Sequence, residues 1–226
     1  MNSQPPNSKN IAIAIDGPAA SGKSTLARHL ASRLGLIMVN SGDMYRAVTW
    51  KVLMEDIDPH DTSAVVRLLD SIDIRCGDDG TMSTIAIDGV DPGEELRSGK
   101  VNANVSTIAA IPDVRKRLID LQRGYLSHSS VVMEGRDIGS VVFPDTPYKI
   151  YVDAAEHVRA TRRKDMGEED SIACRDAADS KRSTAPLVVA EGAAILDNSD
   201  LTIESGVSAA LGILRQQGLT LEDHLT

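Results

Sequence analysis

The chain has 226 residues, with 24 basic against 33 acidic side chains and a net charge of −9. That length is enough for one sizeable core with an inserted subdomain, and the acidic balance argues against broad binding to nucleic acid or anionic membranes without excluding a local basic pocket. Its two cysteines, Cys76 and Cys174, are too far apart to suggest a disulfide framework or a zinc ligand set, which fits a reducing compartment.

Met1 to Lys9 is polar and carries two prolines, so it reads as a disordered tail, not a signal peptide. No apolar run reaches membrane-spanning length, and a cytoplasmic protein is expected. From Ile11 to Ile15 the chain has the continuous apolar character of a parallel strand buried on both faces, with Asp16 at its carboxyl end. The next eight residues, Gly17-Pro18-Ala19-Ala20-Ser21-Gly22-Lys23-Ser24, match the phosphate-binding loop G-x-x-x-x-G-K-[ST] without a mismatch. Two glycines let such a loop bend around a polyphosphate with its N–H groups inward, and the following helix offers its positive end. Lys23 is then placed for the outer phosphates and Ser24 for Mg²⁺.

The spacing of Leu26, Leu30 and Leu34 predicts a helix over about 23–34, closed by Gly35, and Leu36–Val39 reads as a second strand. Asn40 to Arg46 reads as a polar loop leading into a helix that carries Val48, Val52 and Leu53. Arg46 falls near the start of that helix, where the dipole disfavours a cation, so it is expected to serve something other than the helix. Thr62–Asp70 reads as helix and Ile72–Cys76 as a half-exposed strand. A turn at Gly77–Gly80 then leads to Ser83–Gly89, making a small antiparallel hairpin that interrupts the β-α-β alternation.

Helical patterns follow over about 100–111 and, after a restart at Pro112, over 114–126. Val131–Met133 reads as a third core strand ending in Glu134-Gly135-Arg136-Asp137-Ile138-Gly139, charged residues at a strand end where open α/β sheets bind ligands. Lys149–Val152 reads as a fourth strand and Ala154–Arg163 as a helix. The highly charged stretch 164–182 has the composition of either a mobile lid or a surface excursion. Ala193–Leu196 and Glu204–Arg215 complete the chain as a strand and a helix.

Taken together, these residues resemble the bacterial cytidylate kinases, within the nucleoside monophosphate kinase group of P-loop folds. The resemblance runs from about residue 11 to 217. It is carried by Asp16-Gly17-Pro18, Ser41-Gly42 with Tyr45-Arg46, Glu95-Leu96-Arg97, Val105-Ser106, Pro112 to Arg115, Glu134 to Gly139, Val142-Phe143-Pro144-Asp145, Arg175-Asp176, Asp179, Arg182 and Ala185-Pro186-Leu187.

The resemblance implies an α/β fold, a central parallel sheet flanked by helices, with a kinase core over 10–40, 131–163 and 183–226. The monophosphate-binding region would span 41–130, including a hairpin lobe at about 72–97, and a short lid would span 164–182. It implies transfer of the γ-phosphoryl group of ATP to CMP or dCMP, and a monomer is expected. By the same resemblance Gly17 to Thr25 hold the ATP phosphates, with Ser24 at Mg²⁺, and Lys23, Arg136 and Arg182 are catalytic. Ser41, Tyr45, Arg46 and Arg136 belong to the acceptor site. Ser106, Arg115 and Asp137 read the cytosine edge, and Arg175, Asp179 and Arg182 take ribose hydroxyls and phosphates. Two other readings stay open at this level: another small-molecule P-loop kinase of the shikimate or dephospho-coenzyme A type, and a nucleotide-binding regulatory module.

Overall fold

The run beginning at Ile11 folds as the central strand of a five-stranded parallel sheet in the computed structural model, which describes residues 10–165 and 187–220. The sheet consists of β1 (Ala12–Asp16), β2 (Ile37–Asn40), β5 (Val131–Gly135), β6 (Lys149–Asp153) and β7 (Ala194–Asp197), in the order β2-β5-β1-β6-β7. The chain leaves β1 toward one edge and later returns past it to the other, so β1 is the switch point of the sheet. Ligands collect outside the carboxyl ends of strands at such a point. The register aligns those ends: Asp16 lies beside Gly135 on one side and Tyr151 on the other, and Asn40 lies beside Glu134.

Alternation along the strands divides the core into two layers. Ala12 and Ala14 of β1, Ile37 and Val39 of β2, and Val131 and Met133 of β5 face one layer. There they meet α2 (Ser41–Met54), α3 (Thr62–Ser71), α4 (Gly99–Ala109) and α5 (Pro112–Gly124). Ile13, Ile15, Met38 and Val132 face the other layer, against α1 (Lys23–Leu34) and α7 (Ile203–Gln216). Ile13 and Ile15 are fully buried, a burial that contributes roughly 1.5–3 kcal/mol per side chain.

The predicted α1 is reproduced, with Gly35 in the left-handed conformation that ends it. The predicted polar loop at Asn40–Arg46 is instead helix from Ser41 onward. The reason is local: Asn40 is extended and closes β2, and Asp43 in the first turn suits the positive helix end. The hairpin of β3 (Ile74–Asp78) and β4 (Ser83–Ile87) forms a separate antiparallel pair. Its turn lies two residues later than Gly77, because the Asp79 carboxylate accepts from the Thr81 and Met82 amides and from the Thr81 hydroxyl.

Two short turns have no counterpart in the hydropathy pattern. One is a 3₁₀ turn over Gly93–Arg97, and the other a π-helical turn over Ile138–Val142. The last helix before the undescribed stretch, α6, spans Glu156–Asp165, so most of the expected lid lies outside the described residues. Among the described residues no helix is long and apolar enough to cross a membrane. Cys76 is a free, partly buried thiol, pushed up to about 12 by burial, and is chemically quiet.

Candidate active site

Two adjoining clefts open over the carboxyl ends of β1, β2 and β5. The first is floored by the phosphate-binding loop. Gly17 begins that loop at φ 152°, and a Cβ there would lie 2.1 Å from the Val152 carbonyl oxygen, so the end of β6 leaves no room for any side chain. Gly22, left-handed at φ 90°, turns the chain into α1 with no side chain capping the helix, so the positive end of α1 begins at this cleft.

The loop is tied down from its far side. Asn198 Nδ2 donates to the Ser21 carbonyl at 2.8 Å, and Arg162 Nη1 donates to the same oxygen at 3.2 Å. Arg162 Nη2 also donates to the Asn198 carbonyl at 2.8 Å, so α6 and the turn after β7 hold the loop jointly. Ala19, Ala20, Thr25, Asn198, Leu201 and Ile203 line this first cleft.

At the opposite lip, Lys23 Nζ donates to the Pro18 carbonyl at 3.2 Å and stands 3.9 Å from Glu134 Oε2. Ser24 Oγ donates to Glu134 Oε1 at 2.8 Å. A hydroxyl and a buried carboxylate together form a hard oxygen donor set of the kind that suits Mg²⁺.

The second cleft lies between β5, α2, α4 and α5, and its lining includes Ser41, Tyr45, Ser106, Arg115 and Asp137. Ser41 Oγ donates to the Glu134 carbonyl at 2.8 Å, pinning the start of α2 to the end of β5. Arg115 and Asp137 form a buried ion pair, and Arg115 also donates to the Ala109 carbonyl at 3.1 Å. The Tyr45 ring covers the Arg115 guanidinium at 5.4 Å, a cation–π contact.

Asp16 is buried at the end of β1 and accepts from the Ile138 amide at 2.8 Å and the Gly139 amide at 2.7 Å. It therefore fixes the turn that immediately follows Arg136 and Asp137. Burial pushes its carboxyl up to about 6, against the lowering effect of those two amides, with Asp137 raising it further and Lys23 lowering it.

The two clefts share one wall, formed by Lys23, Ser24, Arg46, Arg97 and Arg136. Arg136 Nη1 donates to the Gly17 carbonyl at 3.0 Å, so a residue of the second cleft grips the loop of the first. Of the site residues expected from sequence, those between Gly17 and Asp137 are brought together in these two clefts, except that Gly17, Pro18 and Ser21 act through backbone contacts behind the lining. Arg175, Asp179 and Arg182 lie outside the described residues. Arg97, Asn198 and Arg162 join the site without having been assigned a role from sequence. Arg97 belongs to the short motif Glu95-Leu96-Arg97 and Arg162 to the predicted helix that leads into the lid, whereas Asn198 lies in no motif.

A phosphate-binding loop at the switch point of a parallel sheet, opening onto a second cationic cleft, defines a P-loop kinase that passes a phosphoryl group between two ligands. Residues 13–216 match the cytidylate kinase family model. Relatives named cytidylate kinase are found in Caldanaerobacter subterraneus (41% identity; 91% of this chain and 95% of the relative), Clostridium botulinum (38%; 92% and 99%) and Streptomyces avermitilis (36%; 92% and 94%). The chain belongs to the cytidylate kinase family.

Proposed function

We propose that the two clefts are the donor and acceptor halves of one transfer site, with ATP on the phosphate-binding loop and CMP or dCMP between β5, α2 and α5. The enzyme moves the γ-phosphoryl group of ATP to the 5′-phosphate of the acceptor, breaking one P–O bond and forming another, to give ADP and the cytidine diphosphate. The single observation that carries the residue assignment is the shared cationic wall, since the transferred group must pass where both ligands meet. Phosphoryl transfer needs positioning and charge stabilisation more than covalent help, and Lys23, Arg46 and Arg136 are the equipment for both.

In this reading Gly17 to Thr25 cradle the donor phosphates, and Lys23 leaves the Pro18 carbonyl to reach them. Ser24 and Glu134 would hold Mg²⁺, which when bound supplies charge neutralisation on the donor phosphates. Ser41, Arg46 and Arg136 surround the acceptor phosphate. Tyr45 and Ser106 line the nucleoside, and Arg115 with Asp137 reads cytosine. The Asp137 carboxylate is an acceptor, suited to the exocyclic amine of cytosine and repelled by the carbonyl that uracil carries there. Arg175, Asp179 and Arg182 would complete the site from the lid. Both clefts are built from one chain, so the reading needs no second copy and takes the enzyme as a monomer; its location is proposed, independently of this, to be cytoplasmic.

The test is ADP production from Mg²⁺-ATP with CMP, dCMP, UMP, AMP, shikimate, dephospho-coenzyme A or no acceptor. Strong turnover restricted to CMP and dCMP is expected. Equal turnover without acceptor would make the chain an ATPase or regulatory module, and turnover with shikimate or dephospho-coenzyme A alone would move it to another kinase class.

A further inference from the structure

The shared wall is rich in cations, and an anion stands behind its acceptor side. Asp43, in the first turn of α2, accepts from Arg97 Nη2 at 2.6 Å and stands 3.9 Å from Arg46 Nη1. Both arginines line both clefts, whereas Asp43 itself lies behind them. The head of Arg46 is folded back over the same turn, close enough that a Cβ at Gly42 would lie 2.8 Å from its Nη1. The two acidic side chains that line this cleft are already engaged, Glu134 with Ser24 and Lys23, and Asp137 with Arg115.

Arg97 is the more exposed of the two arginines. Its side chain is 53% exposed, against 13% for Arg46. Its backbone, by contrast, is held, because Asn102 Nδ2 donates to the Arg97 carbonyl at 2.9 Å and Leu96 beside it is buried. A fixed backbone with a half-exposed guanidinium is a tether whose head can exchange one oxyanion for another. Removal from water disfavours the charged form of Asp43, and Arg97 and Arg46 oppose that effect. Its ionisation is therefore supported by the two arginines that an incoming phosphate would also seek.

We propose that Asp43 is a resident counter-anion of the acceptor-phosphate pocket. It holds Arg97 and Arg46 until a phosphate monoester dianion arrives, then competes with that dianion for them. Arg97 is in consequence a further phosphate-facing cation beside Lys23, Arg46 and Arg136 among the described residues, brought from the hairpin side of the molecule. The inference rests on the assignment of this cleft to the acceptor phosphate. Its signature is that Asp43 weakens the binding of ligands that carry a phosphate and leaves the nucleoside untouched.

The experiment is equilibrium titration of the full chain with CMP, inorganic phosphate and cytidine, for wild type, Asp43→Asn, Asp43→Ala, Arg97→Met and the Asp43→Asn/Arg97→Met pair, each checked for a wild-type unfolding midpoint. Loss of the Asp43 charge is expected to tighten CMP and phosphate binding three- to tenfold and to leave cytidine within twofold. Arg97→Met is expected to weaken CMP at least tenfold. In its background the Asp43→Asn gain should fall below twofold, because contacting residues are not additive. Unchanged or weaker CMP binding in both Asp43 variants would overturn the proposal, as would an equal gain for cytidine or an unaltered CMP affinity in Arg97→Met. A wild-type chain that binds no CMP would instead refute the acceptor assignment itself.

Discussion

At the scale of single residues, Asp137 illustrates how burial changes the meaning of a substitution. Taken as an exposed base reader, it would invite Asp137→Ala. In the fold it is paired with Arg115 where both are almost fully buried, and deleting it would strand a charge at a cost of about 3–5 kcal/mol. Asp137→Asn keeps the shape and exchanges an acceptor for a donor. We expect it to raise the KM for CMP by about 10²-fold, from a lost charged hydrogen bond and an added donor–donor clash, with the KM for ATP within about threefold. Steady-state kinetics against each substrate checks this, and a parallel rise in both constants would contradict the assignment. Lys23 and Ser24 were legible as individual residues because their work depends on spacing along the chain. Arg97 and Asp43 were not, since their pairing spans 54 residues and exists only after the hairpin side has packed on α2.

At the scale of elements, the end of β1 joins the two halves of the site. Asp16 closes the strand, Gly17 opens the donor loop, and the Asp16 carboxylate holds the π-helical turn behind Arg136 and Asp137. Because burial raises its carboxyl from 3.8 to about 6, the native state binds this proton more tightly than the unfolded chain does. The associated stability is fully present below pH 3.8 and is lost as pH rises through 6, amounting to about 3 kcal/mol. Urea unfolding between pH 4 and 7 is therefore expected to show the wild type losing about that much relative to Asp16→Asn, whose side chain does not titrate. A difference between the two that stays constant with pH would show that Asp16 is not the titrating group. The strands, α1 and the hairpin were readable because period and turn chemistry are local properties. The π-helical turn was not, because its reason is a carboxylate 122 residues away.

For the whole molecule, the separation into two clefts predicts separable ligand effects. A nucleotide at about 100 times its Kd stabilises the native state by about 2.7 kcal/mol, which for a chain of this size raises Tm by roughly 5–10 °C. CMP and Mg²⁺-ATP are each expected to produce such a shift alone in thermal denaturation. Asn198→Asp, which sets a carboxylate against the Ser21 carbonyl that Asn198 now holds, should shrink the ATP shift to less than half and preserve the CMP shift. Loss of both shifts together would mean that the clefts are not independent binding sites.

The order of residues along the chain was sufficient for the parallel α/β class, the phosphate-binding loop and the family, because these depend on hydropathy period and on motifs a few residues long. The folded arrangement was needed to bring Arg97 from the hairpin side and Asn198 from the turn after β7 onto a common pair of clefts, and to set Asp16 of β1 behind the turn that follows Asp137. Electrostatics and hydrogen bonding act over a few ångströms, and separation along the chain carries almost no information about distance once strands 119 residues apart lie side by side, as Ala12 and Val131 do.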